Sequence, residues 1–134
     1  MNAILMLKPK ATVAFLYNDC SVRQGLEKMR AHGFASIPVI SRKGQYCGSI
    51  TEGDFLWYLI DNRSAELKFL ETSTIDDVVR RDFNPPVKVD VDVNELIDRA
   101  LTQNFIPVVD DRNLFIGIIT RQDIIRYFSE KIST

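Results

Sequence analysis

The chain has 134 residues, of which 46% are hydrophobic and 26% charged, a composition typical of a globular domain and not of a disordered segment. Its formal net charge is −1 and it has no cluster of four or more Lys and Arg residues, which argues against nucleic acid or an anionic membrane as a main partner. The longest apolar run, Phe55 to Ile60, is far shorter than the ~20 residues that span a bilayer. The first residues lack the pattern of a signal peptide, so we expect a cytoplasmic protein.

The first half of the chain predicts four structural segments in a fixed order. They are a strand at 12–16, a helix from about 22 to 33, a hairpin with strands at 37–40 and 45–50, and a helix from 51 to about 61. Val22, Leu26 and Met29 recur at helical spacing, and Gly33 is the residue that tolerates the left-handed conformation at a helix end. Thr51 is the predicted N-cap of the second helix.

The second half repeats this order after a linker at 62–73. A short helical turn is predicted at 65–70 and a further helix at 74–81, which Pro85-Pro86 prevents from continuing. The predicted elements that follow are a strand at 87–91, a helix from about 93, a hairpin at 106–110 and 114–119, and a helix capped by Thr120.

One phrase occurs twice. Gly48-Ser-Ile-Thr-Glu-Gly-Asp54 and Gly117-Ile-Ile-Thr-Arg-Gln-Asp123 have the same pattern 69 residues apart (117 − 48 = 69), and the Ile-Pro-Val that begins at Ile37 returns at Ile106 with the same offset. The helix positions repeat at an offset of 71 instead (93 − 22 = 71), so the second copy has lost two residues, where the first has His32-Gly33. The chain is therefore predicted to be a tandem of one unit, with a pseudo-twofold cleft between the copies as the expected place of function.

Each copy ends its hairpin with a Thr followed three residues later by an Asp. The structural interpretation is a capping box, in which the hydroxyl and the carboxylate satisfy each other's backbone N–H groups. The alternative is a nucleotide site, because a helix N-terminus attracts phosphate and a carboxylate one turn later can accept from two sugar hydroxyls. Gly48 and Gly117 would allow a ligand to approach the backbone closely.

The doubled motif, Ile-Pro-Val followed by Gly-x-Ile-Thr-x-x-Asp, resembles a tandem pair of CBS domains, also called a Bateman module. The resemblance implies an α+β fold of two β-α-β-β-α repeats, at 10–62 and 74–134, within one module covering 1–134. It also implies a regulatory ligand that contains adenosine, such as AMP, ADP, ATP or S-adenosylmethionine, and no required cofactor. The residues that the resemblance assigns to ligand binding are Thr51, Asp54, Ile37 and Val13 in one site, and Thr120, Asp123, Ile106 and Val87 in the other.

The two sites are not expected to be equal. Arg121 follows the second motif Thr and can grip a phosphate bidentately, whereas Glu52 follows the first and would repel one. We therefore expect the Thr120 site to bind an anionic nucleotide more tightly through Arg121. Lys10, Arg42 and Arg126 are further candidates for phosphate contacts, and a cyclic dinucleotide is a ligand that the same pocket chemistry would serve.

Enzymatic chemistry is not predicted. His32 is the only histidine and precedes a helix-ending glycine, no Cys, His and acidic residues have metal-ligand spacing, and no Walker or dinucleotide loop is present. Cys20 and Cys47 are expected to be inert packing residues.

The sequence thus predicts a sensor of an adenine nucleotide that signals to an effector protein. The effector is expected to be a separate molecule, because no fused effector domain is recognised. The helix at 55–60 is apolar around its whole circumference, which predicts burial between the repeats or a self-association surface containing Trp57 or Tyr58, and hence a homodimer. The alternative function is a ligand-free interaction module, in which the motifs are only caps and this helix binds a partner.

Overall fold

The computed structural model describes residues 3–132, with side chains described up to residue 130. The chain divides into two compact units. The central unit comprises Ala14–Phe83, and the terminal unit comprises the residues up to Val13 together with the chain from Asn84 onward.

The helices and strands have the following bounds. The strands are β1 (Lys8–Pro9), β2 (Leu16–Tyr17), β3 (Ser36–Ile40), β4 (Tyr46–Thr51), β5 (Val87–Lys88), β6 (Phe105–Val109) and β7 (Phe115–Thr120). The α-helices are α1 (Val22–His32), α2 (Glu52–Asn62), α3 (Leu67–Thr72), α4 (Val93–Thr102) and α5 (Arg121–Ile132). Short 3-10 helices cover Ala3–Met6, Lys10–Thr12 and Ile75–Asp77.

The central unit is built on a three-stranded sheet of order β2-β3-β4, in which β2 is parallel to β3 and β3 is antiparallel to β4. Helix α1 begins at a capping box between Ser21 and Gln24 and ends at Gly33, whose φ of 67° is left-handed as predicted. Ile37, Ile50 and Phe55 lie in the core. The order β2-α1-β3-β4-α2 confirms the predicted repeat.

The terminal unit has a four-stranded sheet of order β1-β7-β6-β5, and the order β5-α4-β6-β7-α5 repeats that of the central unit. Its core contains Leu96, Ile106 and Ile119 together with Ala3 and Met6 from the start of the chain. Strand β1 extends this sheet by pairing antiparallel with β7. The α+β prediction of two repeats is therefore confirmed, and the segment that precedes the first repeat adds an edge strand to the sheet of the second.

Three predicted elements are wrong in extent. The strand at 12–16 is a 3-10 helix at Lys10–Thr12 followed by the two-residue β2, and the strand at 87–91 is only β5. The helix at 74–81 is a 3-10 helix at Ile75–Asp77, because the chain is then drawn along β4. There the Arg80 N–H donates to the Ser49 carbonyl at 3.2 Å, and the Ser49 N–H donates to the Arg80 carbonyl at 3.4 Å.

None of the helices that the structure describes is both long and apolar enough to cross a membrane.

Candidate functional site

The junction of β7 and α5 holds the second motif pair in a capping box. The Thr120 N–H and hydroxyl both donate to Asp123 Oδ2, at 3.0 and 2.8 Å, and Thr120 Oγ1 accepts from the Asp123 N–H at 3.2 Å. Asp123 is only 8% exposed. The capping interpretation of this motif is therefore structurally correct, and the cap uses only one of the two carboxylate oxygens of Asp123.

The other carboxylate oxygen of Asp123 lies beside two cations. The Lys8 ammonium donates to Oδ1, and the Arg126 guanidinium is 3.9 Å from the same atom. Burial raises the pKa of Asp123, but the hydrogen bonds from Lys8 and Thr120 outweigh this effect and leave the pKa below its ordinary value. Asp123 is thus a buried, ionised carboxylate with positive charge on its outer side.

Gly117 allows Lys8 to reach this carboxylate. In the β1–β7 ladder Lys8 pairs with Ile118 and Pro9 with Gly117. Gly117 has a φ of 154°, and a Cβ at this position would lie 2.2 Å from the Lys8 carbonyl oxygen. The motif glycine therefore permits a close approach of protein backbone. The approach of a ligand that the sequence suggested stays a prediction.

The central unit repeats the arrangement at the start of α2. The Thr51 N–H donates to Asp54 Oδ2 at 2.8 Å, the Asp54 N–H donates to Thr51 Oγ1 at 3.2 Å, and Arg80 Nε lies 2.8 Å from Asp54 Oδ1. Gly48 has a φ of 144°, and a Cβ there would lie 2.5 Å from the Arg80 carbonyl oxygen. The Arg80 guanidinium also lies 4.0 Å over the ring centre of Phe83, which fixes its plane.

Lys8 and Arg80 are therefore equivalent residues, and the sequence analysis missed both. Their offset of 72 (80 − 8 = 72) differs from the 69 of the motifs, and neither lies inside a predicted strand or motif. The one available signal was a cation a few residues before the first strand of each repeat. Of the cations that were proposed, Arg126 lies near Asp123, while Arg42 contacts both oxygens of Asp19 at 2.9 Å.

Arg121 is engaged elsewhere. Its guanidinium donates to the carbonyls of Ala100 at 2.6 Å and Leu101 at 3.4 Å, which are among the last carbonyls of α4. Helix α1 ends in the left-handed Gly33, but α4 ends in an extended Gln103, so an arginine side chain satisfies carbonyls that the missing two residues leave open. Phosphate binding by Arg121 stays a prediction, and it requires the guanidinium to leave these carbonyls.

The predicted apolar pocket walls lie in or near the two cores. Ile37 is buried in the core of the central unit, and Ile106 and Val87 are buried in that of the terminal unit. Val13 is half-buried and closes the 3-10 turn at Lys10–Thr12. A ligand role for these four residues stays a prediction.

A third Thr-x-x-Asp pair shows what capping alone looks like. The Thr74 N–H and hydroxyl donate to Asp77 Oδ2 at 3.0 and 3.2 Å, yet Asp77 is exposed. The side chains of Asp123 and Asp54 are only 7% and 12% exposed, and each has a cation beside its second carboxylate oxygen. These two properties distinguish the motif sites from an ordinary capping box.

The central site also contains a buried hydroxyl without a partner. Ser36 pairs with Thr51 in the β3–β4 ladder, and its Oγ atom makes no hydrogen bond within the part of the chain that is described. Such atoms are rare in folded proteins and call for an explanation, such as a ligand or an ordered water.

Other chemistry finds little support. Among residues 3–130, no three His, Cys, Asp or Glu side chains are grouped closely enough to hold a metal ion. Cys20 and Cys47 are free thiols, and burial raises the pKa of Cys47, which disfavours the reactive thiolate.

Comparison with known families identifies the chain. The CBS domain model matches twice, at residues 5–61 and 75–130, so the chain belongs to the CBS domain family and carries two of these domains in tandem. The resemblance that the doubled motif predicted is confirmed.

Proteins with similar sequences are larger. An uncharacterised protein of Methanopyrus kandleri is 32% identical over 107 residues, which are 74% of this chain and 49% of that protein. The inosine-5′-monophosphate dehydrogenase of Methanocaldococcus jannaschii is 28% identical over 112 residues, 81% of this chain and 20% of that enzyme. The chain thus spans half or less of the length of these relatives.

Solved structures share the fold over nearly the whole chain. CbpB in complex with c-di-AMP has a TM-score of 0.93 at 22% identity, covering 99% of this chain and 87% of that one. CbpB from Streptococcus agalactiae has a TM-score of 0.87 at 23% identity, with coverages of 96% and 80%. CBSX2 in complex with AMP has a TM-score of 0.78 at 18% identity, with coverages of 99% and 98%. At these identities the likeness establishes the fold alone.

Proposed function

We propose that this chain is a regulatory module that binds an adenosine nucleotide at the Thr-x-x-Asp pair of each repeat, within repeats at 10–62 and 74–134. The observation that carries the proposal is the same constellation in both units. A motif carboxylate is fixed through one oxygen by its own cap, while its other oxygen lies beside a cation from a neighbouring segment. Simple capping requires neither the burial nor the cation.

The chemistry of the constellation suits a nucleoside with phosphate. A carboxylate at this position accepts hydrogen bonds from ribose hydroxyls, as the acidic residue of dinucleotide folds does. The N-termini of α2 and α5 and the cations Lys8, Arg80 and Arg126 attract phosphate. Adenine binding is supported by CbpB and CBSX2, which have this fold and were solved in complex with c-di-AMP and AMP. ADP, ATP and S-adenosylmethionine are further candidates.

We expect the Thr120 site to bind an anionic ligand more tightly, as the sequence suggested, but through different residues. Asp123 has two cations near Oδ1, Lys8 and Arg126. Asp54 has Arg80, and the position equivalent to Arg126 is Trp57 (126 − 57 = 69). The surplus positive charge beside Asp123 favours phosphate there without any contribution from Arg121.

Calorimetric titration with AMP, ADP, ATP, S-adenosylmethionine and cyclic di-AMP tests the proposal. We expect saturable binding of at least one of them, lost from one site in Asp123→Ala and from the other in Asp54→Ala. Asp77→Ala is the matched control, because it removes the same kind of cap from an exposed carboxylate and should leave binding unchanged. The proposal would be contradicted if none of the five compounds bound, or if all three variants bound the nucleotide equally well.

In its regulatory role, the module would change the arrangement of its repeats, or of a homodimer, when ligand binds, and an effector protein would respond to the change. A ligand shifts such an equilibrium only by its difference in affinity for the two arrangements. Light scattering and small-angle scattering with and without the bound nucleotide measure this shift, and identical profiles would argue against it.

A second candidate function is an interaction module without a ligand. Helix α2 supports it, because Leu56, Trp57 and Ile60 are each more than half exposed. An apolar groove between α1 and α2 adjoins Leu56 and is also lined by Met29 and Phe34. Trp57→Glu should then abolish self-association or partner binding. A monomeric wild-type chain that binds nucleotide would favour the sensor alone.

A further inference from the structure

We propose that Lys8 makes the Asp123 site selective for adenosine ligands with a phosphate on the ribose 3′ oxygen, as in a cyclic 3′,5′-dinucleotide, over ligands with a free 2′,3′-diol. The inference rests on the proposed function, since it names the ligand class of the same site. It follows from counting the positions on each motif carboxylate that remain open to a ligand.

An ionised carboxylate offers about four acceptor positions, two on each oxygen. On Asp123, the Thr120 N–H and hydroxyl occupy both positions of Oδ2, and the Lys8 ammonium occupies one of Oδ1. One position is therefore left. A free ribose diol, which donates two hydrogen bonds, binds here only by displacing Thr120 or Lys8, whereas a ribose with one free hydroxyl binds without displacing either.

Asp54 gives a different count. The Thr51 N–H occupies one position of Oδ2, and Arg80 Nε forms an ion pair with Oδ1 at 2.8 Å. No third donor to this carboxylate occurs among the described residues. One position stays open on each oxygen, which is the arrangement that a free diol requires. The two sites of the chain are thus suited to different ligands.

The positive charge of Lys8 beside Asp123 favours a phosphate on the 3′ oxygen. The 2′ hydroxyl would donate a hydrogen bond to Asp123, and a phosphate on the 3′ oxygen is next to this hydroxyl. The carboxylate would therefore repel the phosphate unless a cation lay between the two groups. The Lys8 ammonium has two protons left after its bond to Asp123, and its side chain is 42% exposed, so it is accessible to a ligand. A 5′ phosphate is attached on the side of the sugar away from the diol, so the Lys8 ammonium attracts it less strongly.

The surface around Lys8 has room for a phosphate. Lys8, Asp123 and Arg126 line one depression of about 300 Å³ in the terminal unit, with Tyr127 and the acidic Glu130 also in its lining. This volume is at the lower end of the range for small-molecule sites. Both cations that lie near Asp123 Oδ1 are thus in contact with the same open space.

Titration calorimetry with 3′-AMP, 5′-AMP, adenosine and cyclic di-AMP tests the inference, in an Asp54→Asn background that leaves only the Asp123 site. We expect 3′-AMP and cyclic di-AMP to bind about tenfold or more tighter than 5′-AMP, since one charge-assisted contact is worth about that factor. Lys8→Gln should remove the preference and leave adenosine binding unchanged or stronger. Lys8→Arg, which retains the charge, should keep most of the preference for a 3′ phosphate.

Lys88→Gln is the matched control, because it removes the same charge from β5, the opposite edge strand of the same sheet, and should retain the preference. Equal binding of 3′-AMP and 5′-AMP, or an equal loss of all four ligands in Lys8→Gln, would overturn the inference and leave the nucleotide proposal intact. Binding of none of the four to either the wild type or the Asp54→Asn chain would overturn both. Melting curves of each variant confirm that it is folded.

Discussion

The close approach of β1 to β7 can be tested by adding one methyl group. In Gly117→Ala the new Cβ would lie 2.2 Å from the Lys8 carbonyl oxygen and 2.9 Å from a methyl group of Leu7. Real Cβ atoms are essentially never closer than 3.0 Å, so β1 must move by at least 0.8 Å (3.0 − 2.2). Since β1 carries Lys8, we expect the substitution to weaken the contact with Asp123 as well as the strand pairing.

The expected magnitude has two parts. An alanine at a φ of 154° is strained by about 1–3 kcal/mol, and a clash with backbone that has to be relieved adds about 1–3 kcal/mol. Gly33→Ala is the control, because Gly33 has a φ of 67° but no atom within 4 Å of the position of a Cβ. It should cost only the strain of a left-handed residue, about 1–2 kcal/mol.

Urea unfolding of the two variants, with and without Lys8→Ala, measures these terms. We expect Gly117→Ala to lose more stability than Gly33→Ala, and Lys8→Ala to cost less in the Gly117→Ala background than in the wild type, because the contact is already weakened. If Gly117→Ala cost no more than Gly33→Ala, or if the effects of Gly117→Ala and Lys8→Ala simply added, the coupling between the motif glycine and Lys8 would be refuted.

Three further predictions concern side chains that are buried or half-buried. Because the pKa of Asp123 is lowered in the folded protein, its stabilising effect should be complete above the unfolded value of ~3.9 and should fade as pH falls through the folded value. The difference in urea stability between wild type and Asp123→Asn should therefore shrink between about pH 7 and about pH 3, and parallel pH profiles would contradict it. Tyr46→Phe removes the 2.6 Å partner of the buried Ser49 hydroxyl and should cost about 1–2 kcal/mol in urea unfolding, with a smaller additional cost for Ser49→Ala in that background. Cys47, whose thiol pKa is raised by burial, should react with Ellman's reagent more slowly than free cysteine at neutral pH, and an equal rate would count against the burial argument.

The secondary-structure elements that depend on interactions between residues close in the chain were predicted from the sequence. Helix α1 was placed from its apolar spacing and from Gly33, and the hairpins of β3–β4 and β6–β7 from their repeated phrases, because spacing, turns and caps act over a few residues. The motif pairs were likewise identified, since Thr120 and Asp123 are one helical turn apart. The pairing of β1 with β7, which are far apart in the sequence, was not predicted. Lys8 is 110 residues from Ile118, its partner in the ladder (118 − 8 = 110), and no periodicity in the intervening chain indicates that contact.

The two missed cations change how the duplicated motif is understood. Each motif supplies a capped carboxylate at the end of its own repeat. The cation beside it comes from the segment ahead of the first strand of the other repeat: Lys8, ahead of β2, lies beside Asp123, and Arg80, ahead of β5, lies beside Asp54. A single repeat therefore carries the Thr and Asp of one site without the cation of that site. These segments are outside the duplicated phrase, and their equivalent places hold a lysine in one case and an arginine in the other, which differ in number of donors and in rigidity. The two motif carboxylates differ in their number of open positions because the Thr120 hydroxyl donates to Asp123, whereas the Thr51 hydroxyl accepts from the Asp54 N–H without donating to that carboxylate. Under the proposal above, this difference would allow one chain to distinguish two adenosine ligands.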